Sequence, residues 1–273
     1  MLFRSQSTPS ARFTPTPVGA ALQAGQSAAS SPFGRRFAVA GLSEAGSRNL
    51  AAGLGGGQAL ADIDGDGRLE LIVASVAGQR VYGQEQGGQW VERTAGSGLE
   101  STAPADVPVG IVSADFDNDG SADLFVLRDR GSSLYRNDGA GHFSDVTSAA
   151  HVPTYPALPG AAAFVDVDHD GDVDLLIAGL ADLAATRQQG GGERAFPEEF
   201  APAPLQLLRN NGDGTFSDIT TDARLDARGH AVAIVPTDFD NRRDMDLLVV
   251  YADTPPVLYG NRRDRTFRDV ATE

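Results

Sequence analysis

Apolar residues in this chain come in short bursts. Val109-Gly-Ile-Val-Ser-Ala114, Leu124-Phe-Val-Leu127, Ser133-Leu-Tyr-Arg136 and Phe143-Ser-Asp-Val146 follow one another, separated by segments containing Asp, Asn or Gly. Runs of this length between turn-forming residues predict β-strands. No segment sustains a 3.6-residue apolar period, and Gly and Asp interrupt every one that begins, so helical repeats are excluded.

The four-burst unit recurs. An acidic phrase opens the turn between its first two strands: Asp62-Ile-Asp64-Gly-Asp66-Gly67-Arg68-Leu-Glu70, Asp115-Phe-Asp117-Asn-Asp119-Gly120-Ser121-Ala-Asp123 and Asp166-Val-Asp168-His-Asp170-Gly171-Asp172-Val-Asp174. A fourth copy, Asp238-Phe-Asp240-Asn-Arg242-Arg243-Asp244-Met-Asp246, is degenerate. A second phrase follows, LYRNDGAGHFSDVT from Leu134, LRNNGDGTFSDIT from Leu208, and Leu258 through Val270; Trp90 takes the Phe slot in the first unit. The period is about 50 residues, except where an insertion at about 182–204 lengthens the third unit. Four-stranded units of this period predict an all-β fold, a β-propeller, with blades at about 43–99, 100–150, 151–223 and 224–273. Phe37 to Leu42 resembles the end of a fourth strand surplus to four blades. It implies four full blades plus a partial one, a fragment of a larger ring, or else an extra edge strand.

Composition sharpens this picture. Gly supplies 32 of 273 residues, which favours tight turns over helices. At 41% hydrophobic and 22% charged, residues 33–273 can bury a core, whereas 1–32, rich in Ala, Ser and Pro, reads as a disordered tail. Met1 to Ser31 lacks the apolar stretch of a cleavable leader, and no stretch is long and apolar enough to span a membrane. The formal net charge is −15, every basic residue being Arg and most acidic ones Asp. That argues against nucleic acid or an anionic membrane as partner and for a cation. The absence of cysteine removes disulfides, thiol nucleophiles and thiolate metal sites.

The acidic phrases have the chemistry of a hard-cation cage. Carboxylates at positions 1, 3, 5 and 9 of a tight loop converge, Gly at 6 allows the turn, and position 7 (Arg68, Ser121, Asp172) offers its carbonyl. Calcium is the expected ion, in three cages: Asp62/Asp64/Asp66/Glu70, Asp115/Asp117/Asp119/Asp123 and Asp166/Asp168/Asp170/Asp174. In the fourth loop, Asp238 to Asp246, Arg242 and Arg243 replace the position-5 carboxylate and the Gly, so that loop is expected to be metal-free, its guanidinium pairing with two carboxylates. Position 12 lies in a β-type run, so these are not EF-hands.

The phrase D-x-D-x-D-G-x-x-D/E-L within such units resembles the FG-GAP and VCBS repeats of integrin-α-like β-propellers. The LYRNDGAGHFSDVT and LRNNGDGTFSDIT phrases are similar to the bacterial relatives of cartilage acidic proteins. The resemblance covers about Phe37 to Glu273. It implies a calcium-bearing propeller used for adhesion and for protein or glycan contact. An extracellular or periplasmic setting is expected, because millimolar calcium there matches weak modular sites.

Other chemistry is sparse. His142, His151, His169 and His230 lie far apart and read as turn or surface residues; no G-x-S-x-G elbow occurs; the Gly53–Gly57 run lacks the Lys of a phosphate loop. Phe143, Phe216, Phe267 and Trp90 share one slot and are expected to pack between blades. A non-catalytic binding module is therefore the leading reading. A propeller-scaffold lyase or hydrolase and a purely structural domain are the alternatives. The insertion lies on a strand-two-to-three connection, beside the loops that join successive blades. A protein or glycan partner is expected on that face, with Arg187, Arg194, Phe196 and Phe200 in the contact.

Overall fold

The computed structural model describes residues 37–39, 51, 56–75, 78–85, 88–100, 106–188 and 194–270. The tail expected at 1–32 lies outside them. The first strand is β1 (Phe37–Val39). Blade 1 is β2 (Gly57–Ala61), β3 (Glu70–Ser75), β4 (Gly78–Gln84) and β5 (Trp90–Glu92). Blade 2 is β6 (Pro108–Ala114), β7 (Asp123–Arg128), β8 (Ser133–Asn137) and β9 (Phe143–Asp145). Blade 3 begins with β10 (Leu158–Val165) and β11 (Asp174–Ala181); α1 (Leu183–Gln188) and β12 (Arg194–Phe196) form the insertion, and β13 (Ala203–Asn210) and β14 (Phe216–Asp218) complete the blade. After the short β15 (Arg228–Gly229), blade 4 is β16 (Ala231–Thr237), β17 (Asp246–Tyr251), β18 (Val257–Asn261) and β19 (Phe267–Asp269). Each blade is an antiparallel meander in chain order. The all-β propeller architecture read from the repeats is the one observed.

The core lies between blades. Ile63, Ile72 and Val81 of blade 1 cluster with Ile111, Leu124 and Phe143 of blade 2. Phe116, Phe125 and Leu134 of blade 2 cluster with Leu175, Leu208 and Phe216 of blade 3. Val167, Leu176 and Leu207 of blade 3 cluster with Leu247, Tyr259 and Phe267 of blade 4. Second strands follow suit. In the inner blades, β11 is buried at every position and β7 at all but its last, because a blade covers each face. In blade 1, β3 alternates buried and half-buried positions, the pattern of a sheet covered on one side. The innermost strands β2, β6, β10 and β16 neighbour one another in succession. They pass so closely that a Cβ on Gly160 would fall 2.0 Å from the Ala231 carbonyl oxygen.

Of the two readings of the Phe37 segment, the extra edge strand is the one observed, and the buried slot expected for Trp90 is corrected. Among the described residues Phe37–Val39 joins no blade; it pairs with Arg194–Phe196 of the insertion, Phe37 opposite Phe196. An edge strand takes the unpaired edge within its reach, and β12 offers one. Trp90 occupies the Phe register, opposite Gln84 as Phe143 is opposite Asn137, yet it is exposed. The slot packs onto the preceding blade, and among the described residues none precedes blade 1.

Candidate metal centre

Each acidic loop has the same backbone. The position-1 carboxylate accepts the position-6 amide: Asp62 from Gly67 at 2.9 Å, Asp115 from Gly120 at 2.9 Å, Asp166 from Gly171 at 3.2 Å and Asp238 from Arg243 at 2.9 Å. Position 6 has positive φ in all four, including 71° at Arg243. Glycine adopts that conformation without strain, and the fourth loop holds it with a side chain. The fourth loop is thus degenerate in sequence but not in shape.

One carboxylate oxygen from each of three residues meets within 4.8 Å in every loop: Asp62, Asp64 and Asp66; Asp115, Asp117 and Asp123; Asp166, Asp168 and Asp174; Asp238, Asp240 and Asp246. Two oxygens on one calcium stand at most about 5 Å apart, given Ca–O distances of roughly 2.3–2.6 Å. Three expected ligands fall outside these tight groups: Glu70, Asp119 and Asp170. Glu70 Oε2 accepts the Ile63 amide at 3.2 Å, and Asp119 is bonded by Ser121 and Arg136. At position 7, Arg68 bonds Asp66, the Ser121 amide donates to Asp119, and Asp172 accepts from Asn118 of blade 2 at 2.6 Å.

The loops are electrostatically unfinished. Asp62 Oδ1 and both oxygens of Asp168 are buried without a hydrogen-bond donor. Burial pushes the carboxyls of Asp123 and Asp174 up to about 7, against the backbone hydrogen bonds that oppose it. Burial, with Asp170 close by, raises Asp168; burial also raises Asp117 and Asp246. A bound cation would satisfy the orphaned buried oxygens and favour ionisation of the raised carboxyls, so the residues fit calcium.

Arginines stand beside each loop. Arg136 Nε lies 2.6 Å from Asp117, Arg93 lies 3.7 Å from Asp64, and Arg68 holds Asp66 below the usual carboxylate range. Arg265 Nε lies 3.0 Å from Asp168 Oδ2, without hydrogen-bond geometry. Arg265 occupies, at φ 66°, the turn position filled by Gly141 and Gly214 in blades 2 and 3. In the fourth loop, Arg242 pairs with Asp240 alone and Arg263 with Asp244, so the expected double pairing by one guanidinium is shared between two.

The signal missed in the sequence is the asparagine closing each third strand. Asn137, Asn210 and Asn261 are buried. Their Nδ2 groups donate to the previous blade's position-2 carbonyl: Ile63 at 2.9 Å, Phe116 at 2.7 Å and Val167 at 2.8 Å. Their amides donate to the position-9 carboxylates of Asp123, Asp174 and Asp246, each at 2.8 Å. The loops of blades 2, 3 and 4 are thereby tied to their own third strands and to the preceding blade. The recurrence of Asn at one offset was the available clue.

The insertion reading also changes. Phe196 and Phe200 are buried, ring centroids 5.5 Å apart, and belong to the core between blades 2 and 3. Two apolar rings close together gain more from that core than from water. They are not contact residues, and the side chains of Arg187 and Arg194 lie outside what is described. His230 is buried rather than superficial, its Nδ1 2.7 Å from the Leu180 carbonyl oxygen. Arg228 bonds Asp182 at 2.8 Å, so the insertion does pack beside the loop joining blades 3 and 4.

A family model described as FG-GAP-like repeat matches residues 62–126, 115–177 and 179–249. No curated protein matches the chain in sequence. Among solved structures, the chain is similar to an Agrocybe aegerita lectin recognising non-reducing terminal N-acetylglucosamine, with 15% identity and TM-score 0.45 over 77% of this chain and 50% of that one. It is also similar to the Photorhabdus luminescens Tc holotoxin pore, with 20% identity and TM-score 0.39 over 78% of this chain and 9% of that one. The chain thus spans half the length of the lectin chain and a small part of the toxin chain.

Proposed function

The chain belongs to the FG-GAP-like repeat family, and we propose that it is a calcium-bearing, non-catalytic propeller that binds a protein or glycan partner in an extracellular or periplasmic setting. The convergence of three carboxylates in each of the first three acidic loops, with orphaned buried oxygens at Asp62 and Asp168, carries this reading. Calcium would supply charge neutralisation and oxygen coordination. The protein's own groups do the rest. Position-1 carboxylates set the loop, the position-9 carboxylates of blades 2 to 4 clamp the third strand, and the asparagines join blades. Carboxylates tied to backbone in this way are organised for holding rather than for proton transfer.

A cleft of about 360 Å³ beside the insertion supports the partner face. Gln206, Asp218, Thr220, Thr221 and Asp222 line it with Pro156. That volume is within the usual range of small-ligand sites, and amide, hydroxyl and carboxylate groups match sugar hydroxyls.

Calcium titration by calorimetry tests the metal. Three equivalents are expected, with Arg265 competing for Asp168 in the third site as Arg136 competes for Asp117 in the second. Arg265→Gly should tighten the third site several-fold while leaving the other two unchanged. Four equivalents in the wild type would overturn the metal-free fourth loop, and none would overturn the proposal. Glycan arrays probed with wild type and Asp222→Lys test the cleft; identical profiles would remove it from the reading.

A further inference from the structure

Six large apolar residues are exposed among the described residues: Leu60, Leu69 and Trp90 in blade 1, and Val232, Val235 and Phe239 in blade 4. None lies in an inner blade. Their repeat positions explain why. Three contacts of one kind join successive blades. Phe143 packs with Ile63, Phe216 with Phe116 at 5.9 Å between ring centroids, and Phe267 with Val167. In each, the Phe amide donates to a carbonyl of the preceding blade: Ser97 at 2.7 Å, Ala150 at 2.9 Å and Ala223 at 3.0 Å.

Trp90 occupies the Phe slot of blade 1, and Phe239 occupies the Ile63/Phe116/Val167 slot of blade 4. Phe143, Phe216 and Phe267 are 5%, 4% and 3% exposed, whereas Trp90 and Phe239 are 43% and 47% exposed. Leu69 likewise matches Ala122, Val173 and Met245, which pack against the preceding blade. Val235 matches Val112, which packs against the following one. Gln84 stands where Asn137, Asn210 and Asn261 donate across the gap. The two end faces are therefore the two halves of a contact the molecule already makes three times.

We infer that these faces dock on each other between copies of this chain, Phe239 of one copy against Trp90 of the next. The occupant is a second copy because both complementary halves lie on one molecule. Such a contact is heterologous, so it propagates or closes into a ring of copies. It is independent of the metal reading. Like copies at −15 repel, so association strengthens with ionic strength.

The test uses Trp90→Asp and Phe239→Asp, both changes at exposed positions. At high ionic strength the wild-type mass, by light scattering, should rise with concentration through multiples of the chain. Each variant alone should stay monomeric. Mixed, they should give a one-to-one dimer that grows no further, because Phe239 of the first variant meets Trp90 of the second. Trp90 is the sole tryptophan, so the mixture's emission comes from the Phe239→Asp copy alone and should shift to the blue as its partner is added. A wild type that remains monomeric, a mixture that fails to pair, or association surviving in both single variants overturns the inference. Concentration-independent burial of Trp90 in a monomer also overturns it, since that would be closure within one chain.

Discussion

At pH 8, removing calcium with EDTA lowers the melting temperature by about 10 °C, and acidification to pH 5 shrinks that loss. A site held at ten times its dissociation constant contributes ~1.4 kcal/mol, so three contribute ~4 kcal/mol. For a folded region of this size, ~1 kcal/mol moves the transition by roughly 2–4 °C. The pH dependence follows from the buried carboxyls. Asp123 and Asp174 titrate near 7 in the metal-free fold against an ordinary 3.8, so the folded state holds their protons more tightly than the unfolded chain does. Carboxyls shifted down, such as Asp66 and Asp218, change stability only below about pH 4. Above that, the stability that Asp123 and Asp174 lend the metal-free fold falls as pH rises to about 7, then levels off. Asp117, Asp168 and Asp246 shift in the same direction. Calcium reverses this where the carboxylates are ionised, and it binds less well where they are protonated. Calorimetric scans at both pH values, with calcium and with EDTA, give the four melting temperatures needed. A metal-free protein that grows more stable between pH 5 and pH 8, or EDTA without effect at pH 8, would show that the loops need no cation.

The blades and acidic loops were legible because both are written as repeats. One unit's strand pattern, Val109–Val146, matches β6 to β9 within a residue or two. What stayed hidden depended on contacts between units. Trp90 shares its slot with three buried phenylalanines, and only its place in the first blade leaves it exposed. Phe196 and Phe200 lie in a polar, Gly-rich insertion whose composition says loop, and His230 looks like a turn residue; all three are buried because the insertion folds back onto blade 3. The arginines beside the cages were invisible for a related reason. Arg136 comes from the third strand, Arg93 from beyond the fourth, and Arg265 from the next blade, so no fixed spacing marks them. The shape of the fourth loop was also hidden: Arg243 stands where the other loops have Gly, yet the surrounding hydrogen bonds hold its positive φ.

Asn210→Ala should cost about 3–6 kcal/mol, which places it among the most damaging single changes available outside the apolar core. Asn210 is 1% exposed. Its Nδ2 donates to Phe116 O at 2.7 Å and Val173 O at 3.2 Å, and its Oδ1 accepts the Gly212 amide at 3.1 Å. Alanine leaves the buried Phe116 carbonyl without that partner at ~1–3 kcal/mol, and the half-buried Val173 carbonyl and Gly212 amide at the low end of that range, ~1–1.5 kcal/mol each. One of the lost bonds joins blade 2 to blade 3 across 94 residues of sequence, so the variant also loosens the packing of Phe116 on Phe216. The neighbouring Asn211→Ala is the control: Asn211 is exposed and bonds only Thr215 and Ser217 within its own turn, so its removal should change stability by less than about 0.5 kcal/mol. Asn210→Asp separates hydrogen bonding from shape. It keeps the acceptor but loses both donated bonds and sets a second carboxylate beside Asp174, so it should be at least as damaging as Ala at pH 8 and should recover on acidification. Urea unfolding of the three variants decides this. If Asn210→Ala unfolds within 0.5 kcal/mol of the wild type, the asparagines are not the bolts between blades, and the apolar clusters alone hold the array together.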